Sequence, residues 1–177
     1  LVESGAPVLS LSLEERPIPA APSPAPLVSP TRLLALLDKA KSFPILKAQH
    51  PESVAQVEVR TLGSAPLITT LPDYDIRVEE MFRFNPEDTL VFHVTLRNRS
   101  DETIRYAPDG FSVKAGDRIY PQSISDAPGE LPPNAACTVY FAITGTPDGG
   151  RNELSLKNEF TILLQRLTPS QIGRAHV

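Results

Sequence analysis

At 177 residues, with 41% apolar side chains and 19 prolines, the chain has room for one domain and a substantial extension. A net charge of −4 argues against a general nucleic-acid-binding role, and a single cysteine excludes both an internal disulfide framework and a cysteine zinc cluster. No apolar run approaches the roughly 20 residues that a membrane-crossing helix needs.

The chain starts at Leu1 rather than Met, so a signal peptide or lipid anchor ahead of it is compatible with the sequence, and such an anchor is the expected route to any membrane. Residues 1–30 read as a disordered, proline-rich spacer. Pro7, Pro17, Pro19, Pro22, Pro24, Pro26 and Pro30 interrupt helix and ladder alike, and the stretch from Pro17 to Pro26 favours extended polyproline II. Small Ala and Ser residues between the prolines suit a semi-rigid spacer better than a ligand for a proline-binding domain.

A short amphipathic helix is predicted over 31–43, within a segment 31–50 that ends in a connector. Ser29 or Thr31 can cap it, Pro30 suits its first turn, and Pro44 stops it. Leu33, Leu34, Leu36, Leu37 and Ala40 form its apolar stripe. A helix of three turns is marginal alone in water, so the stripe docks either on its own domain or on a partner. Segment 31–50 carries a net +3 and segment 51–167 a net −6, which fits docking within the chain. As a candidate partner-binding surface the stripe contributes Leu33 and Leu37.

From residue 52 the period changes to two. Strands are predicted over 53–62, 75–84, 89–98, 103–106, 111–114, 117–120, 137–144 and 159–167. Asp109-Gly110 reads as a turn, and Gly116 as the positive-φ residue of a hairpin. Seven or eight short strands with no helical pattern between them predict an all-β antiparallel sandwich over 51–167.

Three features resemble the immunoglobulin-like accessory domains of bacterial envelope and secreted proteins, including the telokin-like lipoprotein type. They are the strand from Val91 to Asp101 ending in a polar turn, the hairpin Val113–Tyr120 with its Gly116-Asp117 turn, and the lead-in from Leu131 to Asn134 into Val139–Ile143. The resemblance covers about a third of the chain and implies an immunoglobulin-like sandwich acting as a non-catalytic module. It carries over no functional residue. The paired cysteines and core Trp of antibody domains are absent, so antibody-type kinship is not implied.

Chemistry-bearing residues are few. Cys137 and His93 are the one thiol–imidazole combination in the strand region, and the alternation puts His93 opposite the apolar row. The acidic residues Asp73, Asp75, Glu79, Glu80, Glu87, Asp88, Asp101 and Glu102 read as a solvated surface, with neighbours in a strand pointing to opposite faces. The loop Gly145-Thr146-Pro147-Asp148-Gly149-Gly150 has the densest turn chemistry, but lacks the alternating acids of a calcium loop. Tyr140 alternates away from Val139 and Phe141 and is expected at the surface, where its ring can bind a partner or a glycan. Asn98-Arg99-Ser100 fits a glycosylation acceptor and, equally, a turn. Arg77, Arg83, Arg97, Arg99 and Arg105 form at most a local basic stripe.

The tail 168–177 reads as disordered, and Ile172-Gly173-Arg174-Ala175-His176-Val177 resembles one frame of a translated sequencing adapter. The expectation is therefore a non-catalytic interaction or assembly domain of a cell-envelope or secreted protein. It has no cofactor, metal or nucleic acid, it has a protein partner, and its candidate surface is Leu33, Leu37, Tyr140, Pro147 and Asp148. The alternatives are a glycan- or calcium-binding accessory module and, more remotely, a small hydrolase.

Overall fold

The structure, a computed structural model, describes Pro24 and residues 27–168. The proline-rich spacer other than Pro24 and 27–30, and the adapter-like 172–177, lie outside the described residues.

Among the described residues, two helices come first, α1 (Pro30–Lys41) and α2 (Phe43–Gln49), then one 3₁₀ turn (Pro51–Val54). The Ser29 hydroxyl accepts the Arg32 amide at 3.1 Å, and Lys39 and Lys41 sit in the last turn, where cations suit the helix dipole. Pro44 does not end the helical region as the sequence suggests. A proline lacks an amide that the first turn of a helix does not need, so it starts α2 instead.

Ten strands follow among the described residues: β1 (Val57–Thr61), β2 (Leu67–Thr70), β3 (Tyr74–Phe84), β4 (Thr89–Asn98), β5 (Ile104–Ala115), β6 (Arg118–Pro121), β7 (Ile124–Ser125), β8 (Glu130–Leu131), β9 (Ala136–Thr144) and β10 (Phe160–Arg166). They form two antiparallel sheets. The six-stranded sheet has the order β1-β3-β4-β9-β7, with β2 also on β3; the four-stranded sheet has β8-β5-β10, with β6 also on β5. The chain changes sheets between successive residues: the Gln122 amide donates to Phe111 in one sheet and the Ser123 amide to Ala142 in the other.

The alternation fixes both faces of the large sheet. Ile76, Val78, Met81, Phe92, Val94, Leu96, Val139, Phe141 and Ile143 point inward to meet Tyr106, Phe111, Val113, Phe160 and Ile162 of the small sheet. Phe92, Phe141 and Phe111 stack in sequence, with centroids 5.2 and 4.8 Å apart. On the outer face, Phe82, Phe84, Val91 and Ala142 are apolar too, and α1 lays Leu36, Leu37 and Ala40 on them. The result is three layers: helix, large sheet, small sheet.

Three local departures have physical causes. Asp109-Gly110 is not a turn between strands. β5 runs through it, and the residues between Tyr106 and Phe111 bulge against the single Gln165 on β10. A Cβ on Gly110 would lie 2.8 Å from the Gln165 Cβ, so the bulge needs glycine. Glu79 and Glu80 are not on opposite faces, because the register on β4 slips between Val78 and Glu80 and turns both carboxylates outward. Asn98 is 1% exposed. Its amide group donates to the carbonyls of Glu102, Leu131 and Pro132, and its side-chain oxygen accepts from Ser100, so this Asn-X-Ser is a buried turn.

A buried polar staple holds the β3–β4 turn to the loop before β10. Asp88, fully buried at φ 49°, accepts Arg83 Nη2 at 2.8 Å and the amides of Asn152 and Glu153 at 2.6 and 3.0 Å. Asn152 Oδ1 accepts Arg83 Nη1, and Asn152 Nδ2 donates to the carbonyls of Asp88 and Gly145. A buried charge pair is tolerated when every polar atom finds a partner in this way.

Candidate functional site

The surface with the densest side-chain chemistry is the outer face of the large sheet beside the C-terminal end of α1. Strand register builds it. Pairing sets Tyr140 of β9 opposite His93 of β4, and His93 opposite Glu80 of β3. The imidazole and phenol rings stack at 4.4 Å and 6° between planes, and His93 Nδ1 lies 2.9 Å from Glu80 Oε2. One row further along the strands, the Thr95 hydroxyl donates to Glu79 at 2.7 Å, and Arg77 lies 3.4 Å from the same carboxyl group. At the other end, Lys41 of α1 bridges the rows: its ammonium pairs with Asp126 at 2.7 Å and lies 5.5 Å from the Tyr140 ring centroid. Asp126 in turn accepts the Tyr140 amide at 2.9 Å. Ile68, 49% exposed, sits opposite Arg77 and edges the face with a bare apolar side chain.

The sequence-based candidates separate. Leu33 and Leu37 do not belong to an open surface. They are 6% and 1% exposed, because the sheet occupies the stripe they form, and docking within the chain removes them from any partner. Their contribution is indirect, in that the docked helix delivers Lys41 to Tyr140. Tyr140 is half-buried, one face covered by His93 and its edge packed on the Leu36–Phe82 cluster. Burial, with Glu80 and Asp126 adding to it, pushes its hydroxyl above the usual phenol range.

Pro147 and Asp148 are exposed and lie in the loop between β9 and β10, away from Tyr140. Pro147 lines a shallow cleft of about 180 Å³ with Tyr120, Gln122, Ser123, Thr144 and Thr146. Asp148 is committed to its own loop: Oδ1 accepts the Thr146 hydroxyl and the Gly150 amide, and these bonds hold its carboxyl below the usual range. One oxygen of that carboxylate is thus spent on capping a turn within the loop. Among the described residues, no three His, Cys, Asp or Glu side chains converge as a metal would require.

Cys137 and His93 do not meet. Cys137 packs on the inner core opposite Leu96, whereas His93 stands on the outer face, so the sheet separates them. Burial, with Asp126 adding to it, pushes the Cys137 thiol up, away from the thiolate form that nucleophilic chemistry uses. Sequence reasoning missed Glu80, His93, Lys41 and Asp126 as neighbours of Tyr140. The Glu79/Glu80 bulge and the two-residue β7 that places Asp126 leave no periodic signal.

No family model matches the chain, and no curated protein matches it. Among solved structures, it is similar to a protein of Listeria monocytogenes EGD-e described as functionally unknown, at 10% identity and a TM-score of 0.36, over 62% of this chain and 87% of that one. A likeness at this level assigns neither family nor function.

Proposed function

We infer that this chain is a non-catalytic interaction domain of immunoglobulin-like type, carried on a proline-rich spacer by a cell-envelope or secreted protein, and that it binds a protein through the outer face of its large sheet. The observation that carries this reading is the row Arg77–Glu79–Thr95 beside Glu80–His93–Tyr140, ended by Lys41 and Asp126. Charges of both signs are held in fixed geometry on a rigid sheet and alternate around one aromatic pair. Such a face gives electrostatic specificity against another folded surface. Ile68 supplies an apolar contact at its margin.

The immunoglobulin-like part is supported by the order of crossings. β3 and β4 are a hairpin in one sheet, β5 and β6 lie in the other, β7 and β9 return to the first, and β10 crosses again. That alternation is of the Greek-key kind found in such sandwiches. The glycan alternative is less favoured, because a sugar platform needs an open ring face and the imidazole already covers one face of Tyr140. The calcium alternative is less favoured because Asp148 is held by Thr146 and Gly150.

The test is a charge-reversed face. Arg97, exposed on β4 opposite Asp75, shares this face; Glu79→Lys/Arg97→Glu on the full chain is expected to keep the melting temperature and to lose a protein that the unaltered chain retains in affinity capture. Equal retention by both forms refutes the reading.

A further inference from the structure

α1 is held to the sandwich by contacts that a second copy of the chain supplies equally well. Its apolar residues Leu36, Leu37 and Ala40 lie on Phe82, Phe84, Val91 and Ala142 of the large sheet. Its two ends are fixed by ion pairs of one polarity, helix positive and sandwich negative. Arg32 pairs with Glu87 at 2.5 Å in the first turn, and Lys41 with Asp126 at 2.7 Å in the last. An apolar centre with a charge at each end sets the direction and register of a helix on the face that receives it.

The connection that follows α1 is anchored far less firmly. From Lys41 to Ser53 no residue is buried, whereas Ala40 before it and Val54 after it are 1% and 5% exposed. α2 buries none of its seven residues, and Ile45 on it is 60% exposed. Phe43 makes its aromatic contact with the sheet, 5.7 Å from Phe82. The chain leaves helical geometry at Ser42 (φ −94°, ψ 7°) and at His50 (φ −139°, ψ 62°), a joint at each end of α2. Pro44 keeps α1 and α2 from merging, because in one continuous helix its ring would meet the Ala40 carbonyl. A connector of this kind turns at its joints without disturbing the core. Its twelve residues, Ser42 to Ser53, reach up to roughly 40 Å when extended, about twice the roughly 18 Å length of α1.

We propose that two copies of the chain exchange α1, each laying it on the large sheet of the other. Closed monomer and exchanged dimer share the same helix–sheet contacts, so the apolar patch is covered and Leu36 and Leu37 stay buried in both. What differs is the set of angles at the two joints, and which molecule supplies Lys41 to Asp126 and Tyr140. In the dimer, each outer face is therefore built from two chains. The exchange is independent of what that face binds, so failure of the protein-partner reading leaves it standing, and the reverse.

A complementary pair of full-length chains tests it. Arg32→Glu/Lys41→Glu reverses the helix charges in one chain, and Glu87→Lys/Asp126→Lys reverses the sandwich charges in the other. Within either chain, or in a dimer of like chains, α1 meets like charge. Exchange between the two chains joins opposite charges at both ends of both helices. After unfolding together in urea and refolding at submillimolar concentration, heterodimers are expected in about tenfold or greater excess over like-chain dimers by native mass spectrometry. Isotope-filtered nuclear Overhauser effects are expected from Leu36 and Leu37 of one chain to Phe82 and Val91 of the other. The unaltered chain, refolded at the same concentration as a mixture of labelled and unlabelled copies, is expected to show the same contacts between copies, so the answer does not depend on how the variants fold. Monomers throughout overturn the proposal. Dimers in which those contacts stay within each chain overturn it as well, because the copies then meet through another surface.

Discussion

Leu36→Ala tests whether α1 is part of the domain. Leu36 has no exposed surface and sits against Phe82, Phe84, Val91 and Ala142. Truncating a fully buried leucine removes its transfer free energy and leaves a cavity, costing about 3 kcal/mol within a range of roughly 2–5. Leu34, one turn-position away on the same helix, is 51% exposed and serves as control, with an expected change within roughly 0.5 kcal/mol for Leu34→Ala. Urea unfolding of both variants at micromolar concentration, followed by circular dichroism, reads the difference. Leu36→Ala should lower the midpoint with an unchanged slope and drop the melting temperature by roughly 10 °C. If α1 instead served another molecule, both variants would unfold like the parent in dilute solution, and equal midpoints would refute the docking.

Other outcomes follow from the buried polar groups. Asp88→Ala leaves the Arg83 guanidinium buried without its carboxylate, and should cost about 3–5 kcal/mol in the same assay, more than any single surface ion pair here. The Tyr106 hydroxyl is buried without a formed hydrogen bond, and burial pushes the group up to about 12. Because the folded-state value lies above the unfolded 10, the unfolded chain releases this proton first. Stability should therefore fall between pH 10 and 12, by up to about 1.4 kcal/mol per pH unit, and Tyr106→Phe should remove that part of the fall without loss at pH 7. Alkylation of Cys137 should rise with pH later than that of a free cysteine, since only the thiolate reacts; a profile at or below the free-cysteine midpoint would contradict its inward packing.

How much of this was legible in the sequence depends on element length. The strand 89–98 has the same limits in both readings, because ten alternating residues around Phe92 and Val94 leave one register that buries the apolar row. The apolar stripe of α1 was equally plain, but a stripe does not say what it docks on, and the site assigned to Leu33 and Leu37 followed from that gap. β2, β7 and β8 are four residues or fewer and take their identity from the strands they pair with. Asp109-Gly110 carries turn chemistry that the structure uses for a bulge, since glycine serves any place where two chains approach closely. The alternation puts Tyr140 off the row of Val139 and Phe141, and the structure sets it on the outer face against His93. Its neighbours were not readable, because one comes from a helix nearly a hundred residues earlier and another from a bulge that reverses the parity of Glu79 and Glu80.

The central claim is that the outer face of the large sheet is where another protein binds. The most direct measurement places a photoreactive benzoylphenylalanine at Ile68, on that face, and separately at Ile119, equally exposed on the outward side of the small sheet. After irradiation in the cells that make the protein, a discrete cross-linked adduct is expected from position 68 and not from position 119. An adduct from position 119 alone, or none from position 68, contradicts the account.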